Sequence, residues 1–77
     1  MLWISTPEHG YLQVSKDAVK EYGFAPSCYS YQDTNDWYLE EDCDAPSFLK
    51  AMYPEEWTYV IKDIPSKYEE NPSWRYR

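Results

Sequence analysis

The chain is 77 residues long, carries a net charge of −7 and devotes 19% of its residues to Phe, Trp and Tyr. So short a chain has room for one domain and one core, and its aromatic content argues against disorder, because disordered chains are poor in large apolar side chains. The acidic field repels DNA, RNA and anionic lipid, so direct nucleic-acid or membrane binding is not expected, whereas a basic protein surface would be attracted.

"LWIS" (2–5) reads as a strand and "TPEHG" (6–10) as a turn punctuated by Pro and Gly. "YLQV" (11–14) alternates, with Leu12 and Val14 on one face, and pairs back on the first strand. A two-turn helix is expected over 16–22: Ser15 suits the N-cap, Asp17 complements the helix dipole, and Gly23 suits the position just past the C-terminus. "CYSYQ" (28–32) and "WYLEED" (37–42) read as two strands joined by the Asx-rich turn "DTND" (33–36).

A second helix is expected over 45–53, with Asp44 as its cap, Pro46 in its first turn and Phe48, Leu49 and Met52 as its apolar stripe. Pro54 ends it, and "WTYVIKDI" (57–64) reads as a last strand with Trp57, Tyr59 and Ile61 on one face. The expected fold is α+β: an antiparallel sheet of about five strands, order ββαββαβ, with two short helices on one face. Residues 1–65 form the single domain, and 66–77 form a C-terminal tail, extended or disordered.

Strand alternation divides the acidic stretch. Asp36, Tyr38, Glu40 and Asp42 share one face, expected to be exposed, while Trp37, Leu39, Glu41 and Cys43 share the other, expected to face the core. Two hairpin registers are open. A two-residue turn at Asn35-Asp36 sets Cys28 opposite Cys43, Tyr29 opposite Asp42 and Tyr31 opposite Glu40. A three-residue loop instead brings Tyr31 beside Leu39 and Tyr29 beside Glu41 on the buried side. The Asx-rich dipeptide favours the first.

Charge is concentrated between 33 and 56, where Asp33, Asp36, Glu40, Glu41, Asp42, Asp44, Glu55 and Glu56 face the single base Lys50. A calcium loop would place its third ligand at Trp37 and lacks the required Gly. Cys28, Cys43 and His9 do not have zinc-site spacing, and nothing sets His9 as a base for either thiol. With two glycines there is no phosphate loop. No catalytic residue, metal or cofactor is therefore expected, and the cysteines are expected to be free thiols in a cytoplasmic protein, since no apolar run or leader pattern marks export.

The remaining reading is a non-enzymatic binding surface built from Tyr29, Tyr31, Asp36, Tyr38, Glu40, Asp42, Asp44, Glu55 and Glu56. Carboxylates two residues apart on a strand stand about 6.6–7 Å apart, close to the phosphate spacing of a nucleic-acid strand, so the row could occupy the nucleic-acid groove of a basic protein or nucleoprotein complex. In the tail, Trp74, Arg75 and Tyr76 are of the types enriched at interface hot spots, and docking of the tail on its own core or on a partner is the alternative to disorder. Other readings are a structural or regulatory subunit, monomeric or paired as a homodimer through a sheet edge, and a metal protein or enzyme using His9 and the cysteines.

"HGYLQV" (9–14), "YSY" (29–31) and "YLEEDCDAPSFL" (38–49) together resemble small uncharacterised proteins encoded by phages, prophages and plasmids, across residues 6 to 50. The resemblance implies a context and no residue roles. Small acidic proteins of that origin often bind and inhibit a host protein, anti-CRISPR and other anti-defence inhibitors among them.

Overall fold

A computed structural model describes residues 1–76, the side chain of Tyr76 excepted. Strands β1 (Leu2–Ser5) and β2 (Gly10–Ser15) form an antiparallel hairpin, with Trp3 opposite Leu12 and Ile4 opposite Tyr11. Helix α1 (Lys16–Glu21) follows directly. The Ser15 hydroxyl accepts from the Ala18 N–H at 3.1 Å. At the other end Gly23 has φ 62°, and its N–H and that of Phe24 bond back to the Lys20 and Val19 carbonyls, which closes the helix with a left-handed residue that Gly adopts without steric cost. Both signals were readable in the sequence.

β3 is shorter than expected, Tyr31–Gln32, and pairs antiparallel with β4 (Asp36–Glu40). Tyr31 lies opposite Tyr38 and Gln32 opposite Trp37, a register that neither expected turn produces. The turn centres on Thr34-Asn35, closed by Asp33 N–H to Asp36 C=O at 3.0 Å, and the Asp33 carboxylate accepts from the N–H groups of Asn35 and Asp36. Asp33 rather than Asn35 supplies the Asx turn, so pairing slips by two residues. The faces are those of the tight-turn reading, but Cys28 lies outside the ladder and is not opposite Cys43.

Helix α2 runs Asp44–Met52. The segment expected as a last strand is instead a helix, α3 (Trp57–Asp63). Trp57, Val60, Ile61 and Ile64 recur at i, i+3, i+4 and i+7, all packed against the core, and Tyr59, which a strand would have placed with Trp57, is 71% exposed. Lys50 of α2 lies 4.7 Å above the Trp57 ring and helps hold the two helices together.

The fifth strand, β5 (Ser66–Tyr68), lies in the expected tail and pairs parallel with β1, Trp3 opposite Ser66 and Ser5 opposite Tyr68. A closing 3₁₀ turn spans Ser73–Tyr76. The sheet order is β3-β4-β2-β1-β5. The architecture is α+β with a mixed, mostly antiparallel sheet and three α-helices, where an all-antiparallel sheet and two helices were expected. Residues 66–76 are built into the domain rather than trailing from it.

Each face of the sheet is covered. On one, Leu12, Val14 and Leu39 pack with Val19, Ala45, Phe48 and Leu49 from the helices. On the other, Ile4, Tyr11 and Tyr38 pack under Trp74, with Leu2 and Tyr31 at the margin. The face expected to be exposed is therefore closed by the chain's own tail.

Candidate functional site

The stretch Tyr38 to Asp44 does several different things. Tyr38 is 4% exposed; Trp74 stacks on it with ring centroids 4.0 Å apart and planes 7° apart, and its hydroxyl donates to Asp33 at 2.6 Å. Burial, the hydrogen bond and the neighbouring carboxylate together raise its pKa far above that of a free phenol. Alternation along β4 puts Tyr38 on the expected face, but a second layer lies over that face, so Tyr38 is not part of an open surface.

Asp44 is buried and acts as a clamp. Its Oδ2 accepts from the Ser27 N–H at 2.8 Å, the Ser27 hydroxyl at 2.8 Å and the Ser30 hydroxyl at 2.5 Å, while Ser30 Oγ accepts from the Glu40 N–H at 3.0 Å. Asp44 does not cap α2 through its side chain, and it is not available as a contact residue. It fixes the turn 27–30, itself closed by Ser30 N–H to Ser27 C=O, against the end of β4. Spaced serines in "APSCYS" are the only trace of this in the sequence.

Glu40 turns the chain from β4 into α2: its carboxylate accepts from the Asp42 N–H at 2.9 Å and the Cys43 N–H at 3.0 Å, satisfying donors at a helix start. β4 ends at Glu40, and alternation ends with it. Glu41 and Cys43, expected on the core side, are exposed. The Glu41 N–H bonds the Gly10 carbonyl at 3.1 Å, and its carboxylate lies where a Cβ on residue 10 would stand, 2.6 Å from Oε2, so Gly10 is what lets the side chain fold over β2.

These loops enclose an open groove of about 590 Å³. Glu8, His9 and Arg75 line it on the side of the β1–β2 turn, and Cys28, Tyr29, Glu40, Asp42 and Cys43 on the side of β3 and β4, with Tyr11 and Tyr31 also in its lining. At the first end the Arg75 guanidinium pairs with Glu8 and donates to Thr6 Oγ1 at 3.1 Å. Trp74 holds this arrangement in place, edge-on to Tyr11 at 5.0 Å and tilted on Tyr31 at 5.6 Å. Burial pushes the Tyr11 hydroxyl's pKa upward.

Tyr29, Tyr31, Glu40 and Asp42 thus come together, with Arg75 as a wall. Asp36 does not join them: it lies at the far end of β4, where it accepts from Gln13 Nε2 at 2.9 Å. Glu55 and Glu56 are exposed on the link between α2 and α3, in the helical layer behind the sheet. The expected single acidic face is divided among three places: the groove, the start of β4 and the α2–α3 link. The tail contact expected at Tyr76 lies outside the described side chains, while Trp74 and Arg75 dock on their own domain.

Among the described residues no group of three or more His, Cys, Asp and Glu is gathered as a metal site, and no helix is long and apolar enough to cross a membrane. Neither a family model, nor a curated protein, nor a solved structure matches this chain.

Proposed function

We propose that this is a non-enzymatic binding protein that docks on a basic partner through the acidic end of the groove, Glu40 and Asp42 flanked by Tyr29 and Tyr31, with Glu41 exposed next to them in the chain. One observation carries the reading: among the described residues none of these three carboxylates has an ion-pair partner, in a chain with a net charge of −7. Tyr29 beside them is 67% exposed, an aromatic contact residue left uncovered. The resemblance to phage and plasmid proteins adds that the partner is a host protein of a defence or nucleic-acid-binding system, inhibited by occupation of its basic surface. The strand spacing expected between Glu40 and Asp42 does not carry over, because β4 ends at Glu40 and Asp42 lies beyond it.

Affinity purification from a bacterial host, followed by a salt series on the captured partner, tests this. Such charges are screened beyond about 8 Å at physiological ionic strength, so binding should fall steeply with salt and be lost in the double variant Glu41→Lys, Asp42→Lys. A partner held equally well at high salt and by that variant would rule the reading out.

A further inference from the structure

The two ends of the groove differ in a way that specifies what it can receive. At one end the domain's own arginine is already seated: Arg75, only 12% exposed along its side chain, lies against Glu8 and Thr6 next to Tyr11. The other end has the same components, tyrosine rings and carboxylates, and among the described residues no cation paired with them. Tyr31 and Tyr29 supply ring surface, and Glu40 and Asp42 supply charge that no described residue neutralises.

We infer that this open end is a receptor for an arginine side chain of the basic partner, seated between Tyr29, Tyr31 and the carboxylates of Glu40 and Asp42. The inference rests on the binding reading above and names the chemistry its site selects. A guanidinium is flat and weakly hydrated, stacks on aromatic rings and donates to carboxylates in pairs; an ammonium does the last of these only as a point charge. The receptor is also held in shape before anything binds. Two backbone N–H groups fix the Glu40 carboxylate, and the Asp44 clamp fixes the turn that carries Tyr29, so less side-chain freedom is lost on contact. The groove's volume of about 590 Å³ leaves room for a side chain with its flanking backbone.

The test is a titration of the isotopically labelled full chain, followed by amide chemical shifts, with the tripeptide Gly-Arg-Gly blocked at both ends, against the matching Gly-Lys-Gly. Saturable shifts should appear at residues 28–31 and 40–43, with the arginine peptide binding about threefold more tightly than the lysine peptide. Asp42→Asn and Tyr29→Ala should each weaken it about threefold. Both side chains are exposed and make no side-chain hydrogen bond in the fold, so folding is not at risk. The peptide should also slow alkylation of the exposed thiols Cys28 and Cys43 at the groove's rim. Equal affinity for the two peptides, or shifts centred on Glu55 and Glu56, would overturn the arginine receptor while leaving an acidic binding protein intact. Absence of saturable shifts with either peptide overturns the receptor as well, and the salt series on the captured partner then decides the broader reading separately.

Discussion

The two faces of the sheet bury side chains by different means. Under the helices, Leu12, Val14 and Leu39 meet side chains from three separate elements, so each contact is backed by others. On the opposite face Ile4, Tyr11 and Tyr38 have one large cover, Trp74, carried on a single turn of 3₁₀ helix. A face closed by many contacts fails gradually when one is removed. A face closed by one ring depends on that ring, and here the same ring packs against Tyr11 and Tyr31, which line the binding groove.

Phe48→Ala should have the largest effect, about 4 kcal/mol from lost burial and the cavity left behind, measured by urea unfolding. For a domain of this size that is a large share of a total of roughly 4–11 kcal/mol. Trp74→Ala should cost about 3 kcal/mol, and unlike Phe48→Ala it should also perturb the tyrosine near-UV signal while the helical far-UV signal persists. Should Trp74→Ala leave stability unchanged, the contrast between the faces would be gone.

How far the sequence revealed this contrast depends on the interactions involved. The first hairpin and α1 were legible because their determinants are local: alternation at Leu12 and Val14, a Ser cap, a Gly after the last turn. α3 was not, since Thr-Tyr-Val-Ile favours a strand by propensity and Trp57, Tyr59 and Ile61 alternate, although Trp57, Val60, Ile61 and Ile64 also fit a helix. Packing against α2 and the sheet decides between them. The parallel pairing of β5 depends on a strand more than sixty residues away, and the burial of Trp74 on rings from β2, β3 and β4, which no local pattern encodes. The candidate site was half legible for the same reason: Glu40 follows from alternation and charge and Asp42 from charge alone, whereas the placing of Tyr29 beside them, the covering of Tyr38 and the clamp at Asp44 are tertiary.

Smaller changes sharpen the comparison where the groove meets each face. Asp44→Ala leaves Ser27 and Ser30 without their shared acceptor and should cost about 2 kcal/mol, with amide exchange accelerating at Ser27 to Ser30 more than in the helices. Tyr38→Phe keeps the stack and loses only the hydrogen bond to Asp33, about 1 kcal/mol near neutral pH. It also has a pH signature. The phenol's pKa is higher in the folded protein than its ordinary 10.0, so the stability it contributes is complete below pH 10 and lost progressively as pH rises above that value. The Phe variant should show a shallower alkaline decline in unfolding midpoint than the parent, and identical alkaline curves would show that Tyr38 is not shielded as its stack implies.

The parallel pairing of Trp3 with Ser66 has a further consequence, for the order of assembly. The two hairpins close short loops and can form within microseconds, but β1 and β5 meet only after a loop containing every other strand and all three α-helices has been drawn together, which is entropically costly. Trp74 follows β5 and can settle only once that strand is in place. The groove is therefore the last part of the molecule to be completed during folding and, in reverse, the first to be lost, so binding competence should disappear before the helical core does.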